Sequence, residues 1–278
     1  MKKKSLFFSL DVDNVIGSNS AIESCIKFSK EENLHTSFFI TGEFAMTYPI
    51  ETKLIFSEGY DIGIHGWDHG HQSNENFSTN TYKEQRERVQ KTMEAISNIT
   101  GVSPIINRCP NLRISETTLR VLKEEGILLD SSVPSKRFVV SVKIFKFLFS
   151  PSHPYFPSFK NMSKQGNQTD LIEVPPSALL LPINLSALRY FGLNTMKAVV
   201  KIYSIFNDNI IFYGHPAEFL MPNEIDFMDE NVERRHVENI GPHVFDLTRE
   251  FIKYVKSLGY ESRAITDLIH ENSINHNS

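Results

Sequence analysis

The stretch Ser5–Asn14 reads SLFFSLDVDN and sets a short apolar run directly before two carboxylates. We predict a strand over Ser5–Leu10, which puts Asp11 and Asp13 at its carboxyl end. Two carboxylates in such a place repel each other and lose hydration unless a cation lies nearby. A metal ion at Asp13 and the guanidinium of Arg108 would each supply one such partner.

This strand opens an alternation of strand-like and helix-like stretches, which predicts an α/β fold with a mostly parallel sheet. One domain over residues 1–278 is expected, with an irregular insertion or lid at 133–168, where the alternation fails. A turn is predicted at Thr41-Gly42. The predicted strands are Ser5–Leu10, His35–Ile40, Tyr60–Ile64, Pro104–Asn107, Ile127–Leu129, Leu171–Val174, Ile210–Tyr213 and Tyr260–Ala264, and the predicted helices are Ala21–Glu32, Pro49–Ser57, Thr81–Ile99, Ser115–Glu125, His243–Leu258 and Ile265–Ile269.

Polar residues recur where these predicted strands end, the place where reactive groups gather in folds built on parallel strands. Six such residues at comparable points are hard to explain as accident. They are Asp11, Asp13, His65, Arg108, Asp130 and His215.

Composition excludes several classes of protein. The 29 Lys and Arg against 33 Asp and Glu give a net charge of −4, which argues against a nucleic-acid partner. The two cysteines are too few for a disulfide framework. The apolar run before Asp11 is too short for the core of a signal peptide, and no apolar run is long enough to span a membrane. Leu179–Phe206 could rest on a bilayer surface, although an amphipathic core helix is favoured.

The segment HGWDH supplies two imidazoles four residues apart, His65 and His69. If the segment forms a helical turn, both rings point to one side, as in a catalytic zinc site with three protein ligands. Two surface histidines would give the same spacing. The carboxylates at the end of the first strand favour the metal site.

In chain order, SLDVDN, HGWDH, RCP, LDSS and FYGHP resemble the motif series of the polysaccharide deacetylases, the NodB-homology family of carbohydrate esterase type. The resemblance spans nearly the whole chain and implies a distorted (β/α)7-type barrel. It implies one divalent metal ion, Zn2+ with Co2+, Ni2+ or Fe2+ as alternatives, held by Asp13, His65 and His69. The sequence departs from the family in the Val12 between the two aspartates and in the Asn111 after RCP.

The resemblance also implies catalytic roles. Asp11 would be the general base, Arg108 would hold Asp11 in place, and His215 would be the acid that protonates the leaving amine. The candidate substrate-binding residues are Trp67, Pro110, Asp130 and Glu218.

Three of these candidates have plainer interpretations. Trp67 could pack under the metal loop, and Glu218 could contact the substrate amine or have no such role. Asp130 could orient His215 or cap the loop at Ser131 and Ser132.

The implied activity is metal-dependent hydrolysis of an N-acyl group, acetyl or formyl, from an amino sugar of a cell-envelope glycan or its lipid-linked precursor. DVD, IGIHGWDHGHQ and IEVPPS also resemble the deformylases of lipid-carried aminoarabinose. A cytoplasmic enzyme, in peripheral contact with the membrane surface or free of it, is then expected. The oligomeric state, a homo-oligomer included, is left open.

Two other classes compete with the hydrolase. A non-heme iron oxygenase also uses two histidines and one carboxylate, but it has no need of Asp11 or His215. A non-catalytic sugar-binding relative would be expected to lose the base or the acid, and both are present here.

Overall fold

A computed structural model describes residues 3–13, 18–70, 73–135, 147, 149–168, 170–221 and 239–275. The strands of its main sheet are β1 Lys4–Val12, β2 Thr36–Ile40, β3 Asp61–Ile64, β4 Ile106–Asn107, β5 Leu129–Asp130, β8 Ile172–Glu173, β11 Asn209–Gly214 and β12 Tyr260–Ser262. Seven of them follow one another in a curled parallel sheet in the order β11-β1-β2-β3-β4-β5-β8, and this half-barrel confirms the predicted architecture. The eighth strand, β12, pairs with β1 beside β2.

Strand β1 is buried on both faces, and this explains its unbroken apolar run. Leu6, Phe8 and Leu10 belong to the core between the sheet and the helices. Phe7 belongs to a second cluster on the other face, which also contains residues of β2, β4, β5, β8 and β11. The sheet therefore has packed side chains on both faces at β1.

Helices cover the outer face of the sheet. The longest described before residue 110 is α4, which begins with a capping box of Thr81 and Glu84 and ends at Gly101 in the left-handed region. The helices are α1 Ser18–Glu31, α2 Gly42–Thr47, α3 Pro49–Ser57, α4 Tyr82–Thr100, α5 Glu116–Glu124, α6 Leu185–Phe206, α7 His243–Ser257 and α8 Asp267–Asn275, with 3-10 turns at Pro110–Leu112 and Pro216–Phe219.

The turn predicted at Thr41-Gly42 is wrong, because the helix α2 begins there. The Thr41 hydroxyl accepts a hydrogen bond from the Phe44 amide at 3.2 Å and caps the helix. Threonine is as good at starting a helix as at turning the chain, so the local sequence left this choice undecided.

The segment 133–168 is only partly irregular. Its described part contains an antiparallel hairpin of β6 Pro157–Ser158 and β7 Asn161–Gln165, and the basic residues between 136 and 146 lie outside the described residues. The apolar region predicted over Leu179–Phe206 forms a second hairpin, β9 Ala178–Leu179 with β10 Leu181–Pro182, and then α6. Among the described helices, none has the length and apolar character needed to cross a bilayer.

Candidate active site at the carboxyl ends of the strands

The sheet register brings the predicted residues to one end of the fold. Leu10 of β1 pairs with Gly214 of β11, so Asp11 and His215 follow adjacent positions. In the same way Ile64 pairs with Asn107, the residues directly before His65 and Arg108.

Arg108 holds Asp11 by a short, deeply buried ion pair. Its Nη1 donates to Asp11 Oδ1 at 2.7 Å and to Ser9 Oγ at 2.8 Å. Its Nε donates to the Ser131 carbonyl at 3.2 Å, and the guanidinium lies 4.3 Å from the centre of the Phe39 ring. The arginine is 0% exposed, so its orientation is fixed by these contacts. The resemblance implied that Arg108 holds Asp11 in place, and these contacts have that form.

Charge keeps Asp11 ionised in this buried place. Burial alone raises the pKa of a carboxyl, but the charge and hydrogen bond of Arg108 and the charge of His215 outweigh it and hold the pKa of Asp11 below its ordinary value. Asp11 is therefore a carboxylate at neutral pH, the state in which it can accept a proton.

His65 is held in the neutral form that suits a metal ligand. Its Nδ1 lies 2.7 Å from the Arg108 carbonyl and can only donate to it, which leaves Nε2 with the lone pair. Burial lowers the pKa of His65 to about 4, against the opposing charge of Asp11. Nε2 is buried and has no hydrogen-bond partner in the described part of the chain.

The HGWDH segment is not a helical turn. His69 has a φ of 60°, in the left-handed region, and yet its ring centre lies 5.3 Å from that of His65. The segment owes its shape to Glu75, a buried residue that the sequence analysis missed. Glu75 Oε2 accepts the Trp67 amide at 2.7 Å, and Oε1 accepts the His69 amide at 3.1 Å. The same loop is tied by Asp68, whose Oδ1 accepts the Gly70 amide at 2.9 Å.

The predicted metal ligands fit a divalent ion in chemical type. Two imidazoles and a carboxylate are the donors of many catalytic zinc sites, and both Asp13 Oδ1 and His65 Nε2 are buried atoms without a partner among the described residues. No three His, Cys, Asp or Glu side chains in the described ranges lie close enough together to form a metal site. The ligand set Asp13, His65 and His69 therefore stays a prediction.

His215 is paired with Glu218 rather than with Asp130. Glu218 Oε1 lies 3.1 Å from both the amide nitrogen and Nδ1 of His215. Its other oxygen, Oε2, accepts Nε of Arg189 at 2.6 Å and the hydroxyl of Ser186 at 3.3 Å. Both oxygens of Glu218 are thus engaged inside the protein, and no contact of Glu218 with a substrate amine is needed to explain its position.

These contacts keep His215 protonated. Burial alone lowers the pKa of His215, but its hydrogen bond to Glu218 and the charges of Glu218, Asp13 and Asp11 outweigh it and raise the pKa to about 9. The imidazole side chain remains 30% exposed. His215 can therefore donate a proton at neutral pH to a molecule at the end of the sheet.

Asp130 lies in a different environment, so the idea that it orients His215 is replaced. Its Oδ1 accepts Asn107 Nδ2 at 2.5 Å and Ser132 Oγ at 2.6 Å, which is the loop-capping interpretation. Its strand neighbour is Glu173, and burial raises the pKa of both carboxyls, that of Glu173 also because of the charge of Asp130. Asp130 and Glu173 are 0% exposed, so Asp130 is not accessible to a substrate.

Trp67 and Pro110 pack against glycines at the site. A Cβ on Gly42 would overlap the Trp67 ring, and one on Gly66 would overlap Glu75 and Pro110. Lys91 Nζ lies 3.3 Å from the centre of the Trp67 ring. The packing interpretation of Trp67 accounts for these contacts, and its role in sugar binding stays a prediction, as does that of Pro110.

A polar cavity of about 580 Å³ has His69 in its wall. Half of its ten lining residues have amide or hydroxyl side chains, and two glutamates and one arginine also line it. It is lined by His69, Gly70, Ser73, Asn74, Glu75, Asn76, Thr79, Asn80, Glu84 and Arg113. The cavity offers hydrogen-bonding groups beside one of the predicted metal ligands.

Comparison with known proteins finds similarity to polysaccharide deacetylases in sequence and in fold. Residues 1–129 match the family model described as polysaccharide deacetylase. A peptidoglycan deacetylase of Helicobacter pylori is 27% identical over 157 residues, which are 55% of this chain and 52% of that protein. A peptidoglycan-N-acetylglucosamine deacetylase of Bacillus cereus is 30% identical over 100 residues, 36% of this chain and 34% of that protein. The chain thus spans about half or less of the length of these relatives.

A solved structure from Mycobacterium smegmatis, assigned to the polysaccharide deacetylases, superposes with a TM-score of 0.67 at 16% identity. The superposition covers 99% of this chain and 92% of that chain. This likeness extends over the strands and helices beyond residue 129. The resemblance to the family is confirmed, whereas the narrower likeness to aminoarabinose-lipid deformylases stays a prediction.

Proposed function

We propose that this chain, a homologue of the polysaccharide deacetylases, hydrolyses the N-acyl group of an amino sugar. The observation that carries the proposal is an ionised carboxylate and a protonated imidazole at the ends of two adjacent strands, Asp11 on β1 and His215 after β11. Groups with opposite pKa shifts in one site are suited to act as base and acid.

The chemistry of amide cleavage assigns each of them a step. Asp11 takes a proton from the water that attacks the acyl carbon. His215 gives a proton to the amide nitrogen as the carbon–nitrogen bond breaks, because an unprotonated amine is a poor leaving group. The products are a carboxylic acid and the free amino sugar.

We also propose that hydrolysis depends on a divalent metal ion held by Asp13, His65 and His69. Such an ion would polarise the acyl oxygen and lower the pKa of water at the site. His65 supports this because its free Nε2 lone pair is set by the Arg108 carbonyl, and the Glu75 contacts place His69 beside it.

For the substrate we propose an N-acetylated sugar of the peptidoglycan type, since the two curated relatives reported above are named for that polymer. The polar cavity beside His69 supports a substrate with neighbouring sugar units, because its amides and hydroxyls can bond to sugar hydroxyls.

One observation favours a lipid-linked substrate, acetylated or formylated, as the second candidate. Exposed apolar side chains occur on the elements around Arg189 and Glu218, with Leu180 64%, Phe191 49% and Met221 47% exposed. Exposed apolar residues near a site can meet a lipid chain or a bilayer. Activity on a lipid-linked N-acyl amino sugar, without activity on free oligosaccharide, would select this candidate.

The proposed activity is tested by measuring release of free amine from N-acetylglucosamine oligomers and from peptidoglycan. Wild-type protein should release amine, and Asp11→Asn should not, while its metal content is unchanged. Asp61→Asn is the matched control, because Asp61 is a carboxyl at the first residue of β3, the end of that strand away from the site. Loss of activity in both variants, or metal loss in Asp11→Asn, would contradict the assignment of Asp11 as base.

Metal binding has its own measurement, elemental analysis of the purified protein. His65→Ala and His69→Ala should each lower metal content sharply, and His35→Ala should not, since His35 is exposed before β2 at the other end of the sheet. Unchanged metal content in His69→Ala would remove His69 from the proposed ligands. Oxygen consumption with bound iron would support the oxygenase instead.

A further inference from the structure

We infer that Arg189 and Glu218 are positioning residues that orient His215 and keep it charged for protonation of the leaving amine. The inference rests on the proposed function for the role of His215, and on the observed contacts for everything else. The three residues come from two elements, α6 and the 3-10 turn after β11.

The ion pair between Arg189 and Glu218 is deeply buried. The two side chains are 1% and 5% exposed, and Arg189 Nε lies 2.6 Å from Glu218 Oε2. Removing two charges from water costs several kcal/mol per ion, so the pair is poor evidence of added stability in itself. The contact of Glu218 with His215 is the more specific reason for the presence of the pair.

Glu218 fixes the ring of His215 through Nδ1. Because the pKa of Glu218 is held low by its bond to His215 and the charge of Arg189, in spite of burial, the carboxylate can only accept hydrogen bonds. Nδ1 must therefore donate to Oε1. Nε2 is left as the ring nitrogen that can deliver a proton to a substrate.

A purely structural role explains only part of this geometry. As a cap of the short 3-10 turn, Glu218 would need its contact with the His215 amide. The cap requires neither the contact with Nδ1 nor an arginine from another helix. Asp130, the residue that the resemblance suggested for this orientation, is instead bonded to Asn107 and Ser132.

The experiment uses three variants of the full chain, Glu218→Gln, Arg189→Lys and Glu32→Gln. The last is the matched control, because Glu32 forms an ion pair of the same length, 2.6 Å to Nε of Arg249, at the end of α1 away from the site. Two readouts are compared. One is the NMR titration of the His215 imidazole, assigned with His215→Gln, and the other is kcat and KM on an N-acetyl amide and on an activated acetate ester.

In Glu218→Gln the pKa of His215 obtained from the titration should fall to or below the ordinary histidine value of about 6.5, since burial remains and the opposing carboxylate charge is lost. The charges of Asp11 and Asp13 stay in place and limit the fall. kcat on the amide should drop by about 10²-fold or more, with little change in KM or in ester cleavage, which needs no acid. Arg189→Lys should shift both readouts in the same direction by less.

The inference is overturned if the titration of His215 in Glu218→Gln matches that in Glu32→Gln. If Glu218→Gln does not fold, a titration in Arg189→Lys equal to the control overturns it in the same way. A lowered titration in a protein that cleaves no N-acyl sugar would support the positioning of His215 and contradict the proposed function. The two proposals can therefore fail separately.

Discussion

Two buried aspartates at the ends of parallel strands, Asp11 and Asp130, have opposite environments. Asp11 lies 2.7 Å from the guanidinium of Arg108. Asp130 is bonded to an amide and a hydroxyl and has another carboxyl, Glu173, as its strand neighbour. The pKa of Asp11 is lowered by its cationic neighbours in spite of burial, and that of Asp130 is raised by burial.

The comparison teaches that position at a strand end does not decide what a carboxyl can do. Asp11 is ionised and has a cation to balance it, so it can act as a base. Asp130 Oδ2 and Glu173 Oε2 are buried and lack a donor among the described residues unless one carboxyl keeps its proton. A pair that shares a proton in this way holds strands together, and it is not free to exchange protons with a substrate.

The largest expected effect comes from exchanging the two aspartates for asparagine. Asp11→Asn should lower kcat for N-acyl hydrolysis by about 10²–10⁴-fold, because the base is lost. Asp130→Asn should change kcat by far less, since Asp130 is fully buried and is not accessible to a substrate. Both are measured by amine release. Equal losses of kcat in the two variants would contradict the contrast between the two aspartates and assign Asp130 a part in the reaction.

The next effect concerns Arg108, the cation beside Asp11. Arg108→Met should lower the free energy of unfolding by about 3–5 kcal/mol, because it leaves Asp11 buried without a partner, and should raise the pKa of Asp11. Urea unfolding measures the stability. Arg120→Met is the control, since Arg120 is exposed on α5. If stability in the two variants is the same, Arg108 does not hold Asp11 in the way described.

The smallest expected effect concerns the carboxyl pair. Glu173→Gln should raise the melting temperature at neutral pH by about 2–4 °C, as expected for a gain on the order of 1 kcal/mol. The sign follows from the raised pKa of Glu173. A carboxyl with a raised pKa contributes stability at a pH below its pKa in the unfolded chain and loses that contribution as the pH rises, so the wild type is penalised at neutral pH and the glutamine variant is not. The difference between variant and wild type should therefore shrink as the pH is lowered toward about 4. A difference that grows on acidification would contradict the shared proton.

Much of the fold could be predicted from the sequence because hydrophobic patterns report burial directly. The bounds predicted for Pro49–Ser57 are those observed, and the strands ending before His65 and His215 lie within a residue or two of prediction. Asp11 and Arg108 could be paired in advance because two carboxylates after an apolar strand require a cation.

The supporting residues could not be predicted, since their roles depend on folding and not on spacing. Glu75 lies in a polar segment without a period, and only the folded loop shows that its carboxylate binds two backbone amides of HGWDH. Arg189 is on α6, whose pattern indicates only an amphipathic helix. Glu173 was within the quoted IEVPPS motif, but nothing in that motif reveals a second carboxyl beside it.

The pairing of β1 has a consequence for the order in which the molecule can assemble. Ser5 pairs with Asn209 and Lys4 with Tyr260, so the strand that carries Asp11 finds its β11 and β12 partners more than two hundred residues later in the chain. Contacts this remote in sequence slow folding, and an apolar strand with an open edge invites aggregation. During synthesis the SLFFSL segment cannot complete its strand pairing until nearly the whole polypeptide has been made. Expression of residues 1–129 alone should therefore yield aggregates, which the later strands would prevent.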